Sequence, residues 1–525
     1  MNKVINYIGI FTMLIACSDN DPTAPESNAD VTKSITIQTQ STYQAIEGFA
    51  ASDCWAANYV GNYWSEPQKK QIARLLFSTA IQEGKPSGIG LSMWRFNLGA
   101  GTAEQGNLSG IEDISRRAEC FLDETGIYDW NKHKGQQYFI EQARDYGCQS
   151  FVLFSNSPPV YYTHNGKGFS QRGAYSNLKE EHYNDFASYM ADVIQYFSVY
   201  KGITFNYISP VNEPQYNWEG GQEGSGWQNS EIKKLVTSLD QALTEKNLTS
   251  KILITESGDW EYLYRGKDDI NRSNQMEVFF DTQSIHYIGN LAHVDRLIGG
   301  HSYWTDSNWA TMSRIRSDLS KKAISYGLKI FQTEWSMLGD NYNDKEYPGH
   351  DQATELDIAL HMSKVIHHDL TTAGVSSWSF WTSMDVSRWN HKNRFLLINL
   401  VPAGGPYGDI TESGQHEATK SLWALGNYSL LIRPGFKRVE LTIANPSNSF
   451  FGSAWLSPDQ SQLVMVYTNM TSKSIALDLE IQGLGSNAKI TRYTTSATSD
   501  LNTESNISKY PVVEPRSITT FLLEY

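Results

Sequence analysis

Short apolar runs alternate with longer amphipathic segments through most of this chain, and that alternation leaves few folds open. An opening run at 45–51 is followed by runs at 88–96, 150–154, 205–211, 251–255, 297–303, 328–333 and 375–381. Between them, 68–77, 135–146, 182–199, 230–244, 310–326 and 353–370 read as helices. A strand, a crossing helix and a further strand give parallel neighbours. Eight such strands suit a closed (β/α)8 barrel better than an open sheet. After residue 420 the pattern changes to short strands with Thr/Ser/Asn turns, at 439–443, 462–467, 475–481, 489–493 and 517–523. That is the signature of a β-sandwich. A strand at 34–44 precedes the barrel and is expected to join the sandwich. The stretch 494–508, rich in Ser, Thr and Asn, reads as a loop.

The expected fold class is therefore α/β, a (β/α)8 TIM barrel with a C-terminal all-β sandwich that includes the strand before the barrel. The expected division is 1–16 signal peptide, 17–33 flexible tether, 34–44 sandwich strand, 45–419 catalytic barrel and 420–525 β-sandwich. Composition agrees, because 40% hydrophobic against 19% charged residues allows a large core and excludes wholesale disorder. With 43 basic and 57 acidic residues the formal charge is −14, which argues against non-specific nucleic-acid binding. The 15 Trp and 29 Tyr fit either dense core packing or rings that stack on sugar faces.

At the N-terminus Lys3 precedes a mostly apolar run, 4–16, that is too short to span a bilayer comfortably. It ends in Leu14-Ile15-Ala16-Cys17, which resembles the bacterial lipobox. Cys17 is then the expected lipidation site, and 18–30 is a flexible tether. Asp19 and Asp21 resemble the surface-export signal of Bacteroidetes lipoproteins. The expected location is the bacterial outer membrane, on its periplasmic or cell-surface face, with the membrane met only through the lipid. Cys54, Cys120 and Cys148 remain, so at most one internal disulfide is possible. No spacing suggests a zinc site, and no cofactor is expected.

Two carboxylates stand out. Ser209-Pro210-Val211-Asn212-Glu213-Pro214 ends the fourth strand, and Ile330-Phe331-Gln332-Thr333-Glu334-Trp335 ends the seventh. On a barrel both glutamates fall at the C-terminal strand ends, where barrel active sites lie. Glycosidic bond cleavage needs such a pair, one carboxyl protonated for the leaving oxygen and one ionised. Glu256, Asp53 and Asp385 are rival carboxylates. His286, His293 and His301 are scattered, and His367-His368 sits in a helical segment where neighbours point apart.

These motifs, taken together, resemble glycoside hydrolase family 30, a retaining family with (β/α)8 barrels, and within it the endo-β-1,6-galactanase branch. The residues that carry the resemblance begin with Glu47-Gly48-Phe49-Ala50-Ala51-Ser52, Trp94-Arg95-Phe96-Asn97-Leu98-Gly99 and Ser155-Asn156-Ser157-Pro158-Pro159. They continue with Asn212-Glu213-Pro214-Gln215, Trp218-Glu219-Gly220-Gly221-Gln222-Glu223-Gly224-Ser225 and Glu334-Trp335. The resemblance implies retention through a covalent glycosyl-enzyme, with Glu213 as acid/base and Glu334 as nucleophile. Their carboxyls should lie about 5–5.5 Å apart. It also implies that Asn212 meets the sugar 2-OH, that Arg95 keeps Glu334 ionised, and that Tyr303 donates to the nucleophile. Arg95 reads equally as a barrel-interior salt bridge and Tyr303 as a packing ring. His301 is a further candidate. Trp55, Trp335, Trp378 and Trp381 are candidate sugar platforms or core. Glu223 is a substrate contact or a solvated loop residue.

The implied substrate is the β-1,6-galactan side chain of arabinogalactan, a polysaccharide partner handled by a monomer. Another family 30 activity, on a β-glucan, a xylan or a terminal sugar, stays open. The insert 99–126 could close one end of the cleft and favour exo action. A surface glycan-binding lipoprotein with a dead barrel is the alternative from another class, but binding alone needs neither glutamate.

Overall fold

The computed structural model describes residues 29–525 apart from 341, 343, 388–392, 486 and 508–510. The expected signal peptide, Cys17 and most of the expected tether lie outside the described residues. Among the described residues no helix is long and apolar enough to cross a membrane.

Eight parallel strands form the barrel: Gly48–Ala51, Met93–Asn97, Ser150–Phe154, Tyr207–Ser209, a fifth in two pieces (Lys251–Ile252 and Thr255–Ser257), Leu297–His301, Lys329–Trp335 and Ser377–Phe380. The first piece of the fifth strand pairs with the fourth strand and the second piece with the sixth, so the split strand joins two halves of the wall. The first and eighth strands pair in parallel, and a Ser52–Arg95 bridge closes the first against the second. Ala50, Met93, Val152, Leu253, Leu297 and Phe331 fill the interior, so the barrel is a packed core and its chemistry is confined to the C-terminal rim. The barrel helices bury apolar stripes outside the strands, and each fully buried Leu, Ile or Phe contributes roughly 1.5–3 kcal/mol. Reciprocal capping fixes two helix starts: Gln228 with Glu231 before Asn229–Glu245, and Thr354 with Asp357 before Glu355–His368.

The strand before the barrel, Val31–Ala45, lies in a nine-stranded sheet curled on itself. It runs antiparallel to Lys437–Ile443 and parallel to Ile475–Gln482. The sheet buries both faces. Leu463, Met465 and Tyr467 turn into its own core, while Val464 and Val466 join the core shared with the barrel. A strand absent from the sequence reading, Phe450–Leu456, has Phe450, Ala454 and Leu456 facing one core and Phe451 and Trp455 the other, which erases the alternation, while Gly452 and Ser453 interrupt the apolar run. The expected loop 494–508 instead contains a strand, Asn502–Ser505, paired with Lys489–Thr495. Residue 420 opens a helix, Lys420–Ser429, with Thr419 as its N-cap. It packs on Glu355–His368 and on two strands of the sheet. Cys54, Cys120 and Cys148 are buried free thiols.

Candidate active site

A cleft of about 360 Å3 opens at the C-terminal rim of the barrel. Glu213 and Glu334 line it, 6% and 4% exposed. Glu213 follows the fourth strand in a tight turn with φ +42°, a region non-glycine residues seldom occupy. Its N–H donates to the Glu256 carbonyl at 2.8 Å, and Trp218 Nε1 donates to its own carbonyl at 3.1 Å. Glu334 is within the seventh strand. There a register shift opposite Gly300 and His301 turns Glu334 toward the rim and Trp335 outward.

One side-chain atom each from Glu213, His301 and Glu334 lies within 4.8 Å of the others. Glu334 Oε2 accepts from Arg95 Nη1 at 3.0 Å, and its Oε1 accepts from the Tyr303 hydroxyl at 2.9 Å. His301 Nδ1 is 2.9 Å from Glu213 Oε1 and 3.7 Å from Glu334 Oε1, and its Nε2 is 3.1 Å from Glu256 Oε2. Burial pushes the Glu213 carboxyl up, His301 opposes this, and the negative charges of Glu334 and Glu256 add to the rise. Burial disfavours charge on His301, but the surrounding carboxylates outweigh it and hold the imidazole up at about 10. Burial also disfavours charge on Glu256, yet Arg95, His301 and Ser209 bring it down to about 2. Glu213, His301 and Glu334 are the one group among the described residues spaced to hold a metal ion. His301 stands among three carboxylates, and an imidazole that donates from both ring nitrogens has no lone pair left for a metal.

Around the pair, Trp55 and Trp381 form an edge-to-face pair at 5.2 Å. Tyr216, Trp218 and Trp304 also line the cleft, the Tyr216 ring centre 5.8 Å from each of the other two. Asn212 also lines the cleft, and its Oδ1 has no hydrogen-bond partner among the described residues. Of the rival carboxylates, Asp385 reaches the cleft. Asp53 accepts from the Asn97 N–H and Gln136 below it, and burial raises its carboxyl to about 7.

Several expectations need correction. Trp335 is no platform: it is fully buried, donates from Nε1 to Asp306 at 2.9 Å and packs on Trp378. Trp378 is likewise core, bonded to Asp369 at 3.0 Å. Glu223 is neither solvated nor a substrate contact. It is wholly buried, accepting from the Thr102 hydroxyl and the Ala100 N–H, and burial raises its carboxyl to about 8. Arg95 lies against Glu334, as expected, and His301 against Glu213, but both are buried and neither lines the cleft. Residues the sequence reading passed over are Arg116, Tyr216, Trp304, Leu338 and Phe395. Trp304, 48% exposed, directly follows Tyr303, but nothing local in the sequence sets which way its ring points. Arg116 sits on the 99–126 insert, its guanidinium 5.3 Å from the Trp55 ring centre.

Comparison with known proteins agrees with this geometry. The chain is 23% identical over 490 residues to an endo-beta-1,6-galactanase of Hypocrea rufa, covering 89% of this chain and 88% of that protein. A conserved exported protein from Bacteroides fragilis superposes with a TM-score of 0.86 at 28% identity, over 93% of this chain and all of the other. The catalytic domain of the family 30 xylanase C from Talaromyces cellulolyticus superposes with a TM-score of 0.65 at 19% identity, over 94% of this chain and all of that one. The sequence model of O-Glycosyl hydrolase family 30 matches residues 32–396, most of the chain, and the protein belongs to that family of glycoside hydrolases.

Proposed function

We propose that this glycosidase is a retaining endo-β-1,6-galactanase, with Glu213 as acid/base and Glu334 as nucleophile. The observation that carries the mechanism is the carboxylate pair across one cleft, with oxygens within 4.8 Å. Retaining pairs stand at about 5–5.5 Å and inverting pairs at roughly 6.5–9.5 Å, to leave room for a water. In the first step a Glu334 oxygen bonds to the anomeric carbon, the glycosidic C–O bond breaks, and the Glu213 proton passes to the leaving oxygen. In the second, ionised Glu213 takes a proton from water, the water oxygen bonds to the same carbon, and the ester releases Glu334.

The electrostatics support this order. The Glu334 charge helps to raise Glu213. Once Glu334 is an ester that charge is gone, and Glu213 ionises more readily when a base is needed. Arg95 and Tyr303 hold the nucleophile in place, and the unpartnered Asn212 Oδ1 is a ready acceptor for the sugar 2-OH. Trp55 and Trp381 offer ring surface for the sugars on the cleaved side, and Tyr216, Trp218 and Trp304, beside the acid, for the leaving chain.

The galactan assignment is supported by the relative from Hypocrea rufa and by the loop 218–225. Its test is product analysis on de-arabinosylated arabinogalactan, with β-1,3-galactan, β-1,6-glucan and glucuronoxylan in parallel. A ladder of β-1,6-galacto-oligosaccharides is expected. Monosaccharide alone would overturn endo action, and products only from another polymer would overturn the galactan assignment while leaving the two glutamates in place. We also propose that Cys17 carries a lipid, on the strength of the lipobox-like sequence. Fatty-acid labelling of the full chain should be lost in Cys17→Ser, and an unlabelled native chain would overturn this.

A further inference from the structure

Glu256 has no part in the two steps above. It lies in the fifth barrel strand, is fully buried and does not line the cleft. Yet it is tied to both Glu213 and Glu334, which do. Its Oε2 accepts from Arg95 Nη2 at 3.4 Å and faces His301 Nε2 at 3.1 Å, its Oε1 accepts from Ser209 Oγ at 2.5 Å, and its carbonyl accepts the Glu213 N–H. Arg95 reaches Glu334 with its other terminal nitrogen, and His301 reaches Glu213 with its other ring nitrogen. Each cation therefore bridges Glu256 to one member of the catalytic pair.

The protonation of His301 decides where the proton of the acid can sit. A neutral imidazole has one N–H and one lone pair. Were Nε2 to donate to Glu256 and Nδ1 to carry the lone pair, Glu213 would have to place its proton on Oε1, pointed at the histidine. An imidazolium donates from both nitrogens, so Oε1 of Glu213 accepts and the acidic proton moves to Oε2. We propose that Glu256 is a positioning residue for the acid: it keeps His301 doubly protonated, and His301 in turn confines the transferable proton of Glu213 to Oε2.

Charge balance supports this. With Glu213 protonated, Glu256 and Glu334 offset Arg95 and His301. In the glycosyl-enzyme Glu334 is an ester and Glu213 is ionised, and the balance is the same. The buried cluster is neutral in both resting states only if Glu256 and His301 are charged together or neutral together, so an ionised Glu256 calls for a charged His301, which matters because an unpaired buried charge is costly. The groups facing His301 from the surrounding strands are Glu213, Glu256 and Glu334, with Tyr303 beside it on its own strand at 5.5 Å between ring centres. The directions of the shifts agree, Glu256 held low and His301 held high.

The proposal rests on Glu213 being the acid/base, and its test separates the two. In 15N-histidine-labelled full-length protein, the His301 signals, identified by their loss in His301→Asn, should remain those of an imidazolium to pH 8. In Glu256→Gln they should convert to the neutral form below that pH. The same variant should lose about tenfold or more of kcat/KM on a galacto-oligosaccharide, which needs the proton, and much less on a nitrophenyl glycoside, which does not. Ser209→Ala, which removes one bond to Glu256, should shift both readouts the same way by less. A neutral His301 in the wild type at pH 7 overturns the proposal even if Glu256→Gln does not fold, as does equal loss on both substrates. If Glu213→Ala fails to distinguish the substrates, it is the acid/base assignment that falls, whatever the state of His301.

Discussion

Removing the Glu213 carboxyl separates its acid role from its base role. Glu213→Ala leaves Glu334 held by Arg95 and Tyr303, and leaves His301 its contact with Glu256. The nucleophile is thus intact and only proton transfer is lost. Such transfer contributes about 10²–10⁴-fold, or roughly 3–5 kcal/mol of barrier, when the leaving group is an alcohol. On β-1,6-galacto-oligosaccharides kcat/KM should fall by that factor. A dinitrophenolate leaves without a proton, so kcat/KM on its galactoside should stay within several-fold of wild type. Its kcat should still fall, because the second step has lost its base, and stopped-flow should show a burst of phenolate equal to the enzyme present. Azide, which needs no base, should restore turnover and give a β-galactosyl azide. An equal fall of kcat/KM on both substrates, with no burst, would refute the assignment.

Glu334→Gln should abolish turnover on every substrate with an unchanged circular dichroism spectrum, and near-normal kcat would remove the nucleophile assignment. Arg95→Met leaves the buried Glu334 and Glu256 without their shared cation, so the protein should lose about 3–5 kcal/mol of stability by chemical denaturation as well as activity; an unchanged midpoint would show that the pairs are energetically idle. Glu223 predicts the opposite of a cleft residue. Its carboxyl titrates near 8 in the folded chain, well above its unfolded value, so its contribution to stability is full at pH 4 and lost as the pH rises through 8. Glu223→Gln should therefore melt no lower than wild type at pH 8.5 and keep its activity, and a large activity loss would put Glu223 back in the cleft. The raised carboxyl of Glu213 predicts that kcat/KM declines only above the ordinary carboxylate range as pH increases; a decline centred near pH 4 would contradict the acid role.

The fold was legible where an element carries an unbroken apolar run or a regular hydrophobic period. The strand Ser150–Phe154 and the helix starts near 229 and 355 fall where the hydrophobic pattern put them. Phe450–Leu456 was not legible because burial by two cores removes its alternation while Gly452 and Ser453 interrupt its apolar run. The same physics divides the site. Glu213 and Glu334 are readable from strand ends, since a carboxylate closing an apolar run on a barrel has few roles. Trp335 and Trp304 are not, because each stands beside a readable residue and its direction is set by backbone detail. The register shift in the seventh strand turns Trp335 into the core, and a left-handed turn at Trp304, φ +55°, sends that ring to the cleft. Glu223 needed its partner, Thr102, which no local pattern connects to it. Glu256 is the sharpest instance. Its place after the fifth strand marks it as a rival carboxylate, but Thr-Glu-Ser-Gly carries no catalytic motif, and what ties it to the site is Arg95 and His301, supplied by the second and sixth strands. A residue that acts only through others has its role written in the closed barrel, where Arg95 and His301 meet it, and not in its neighbours along the chain.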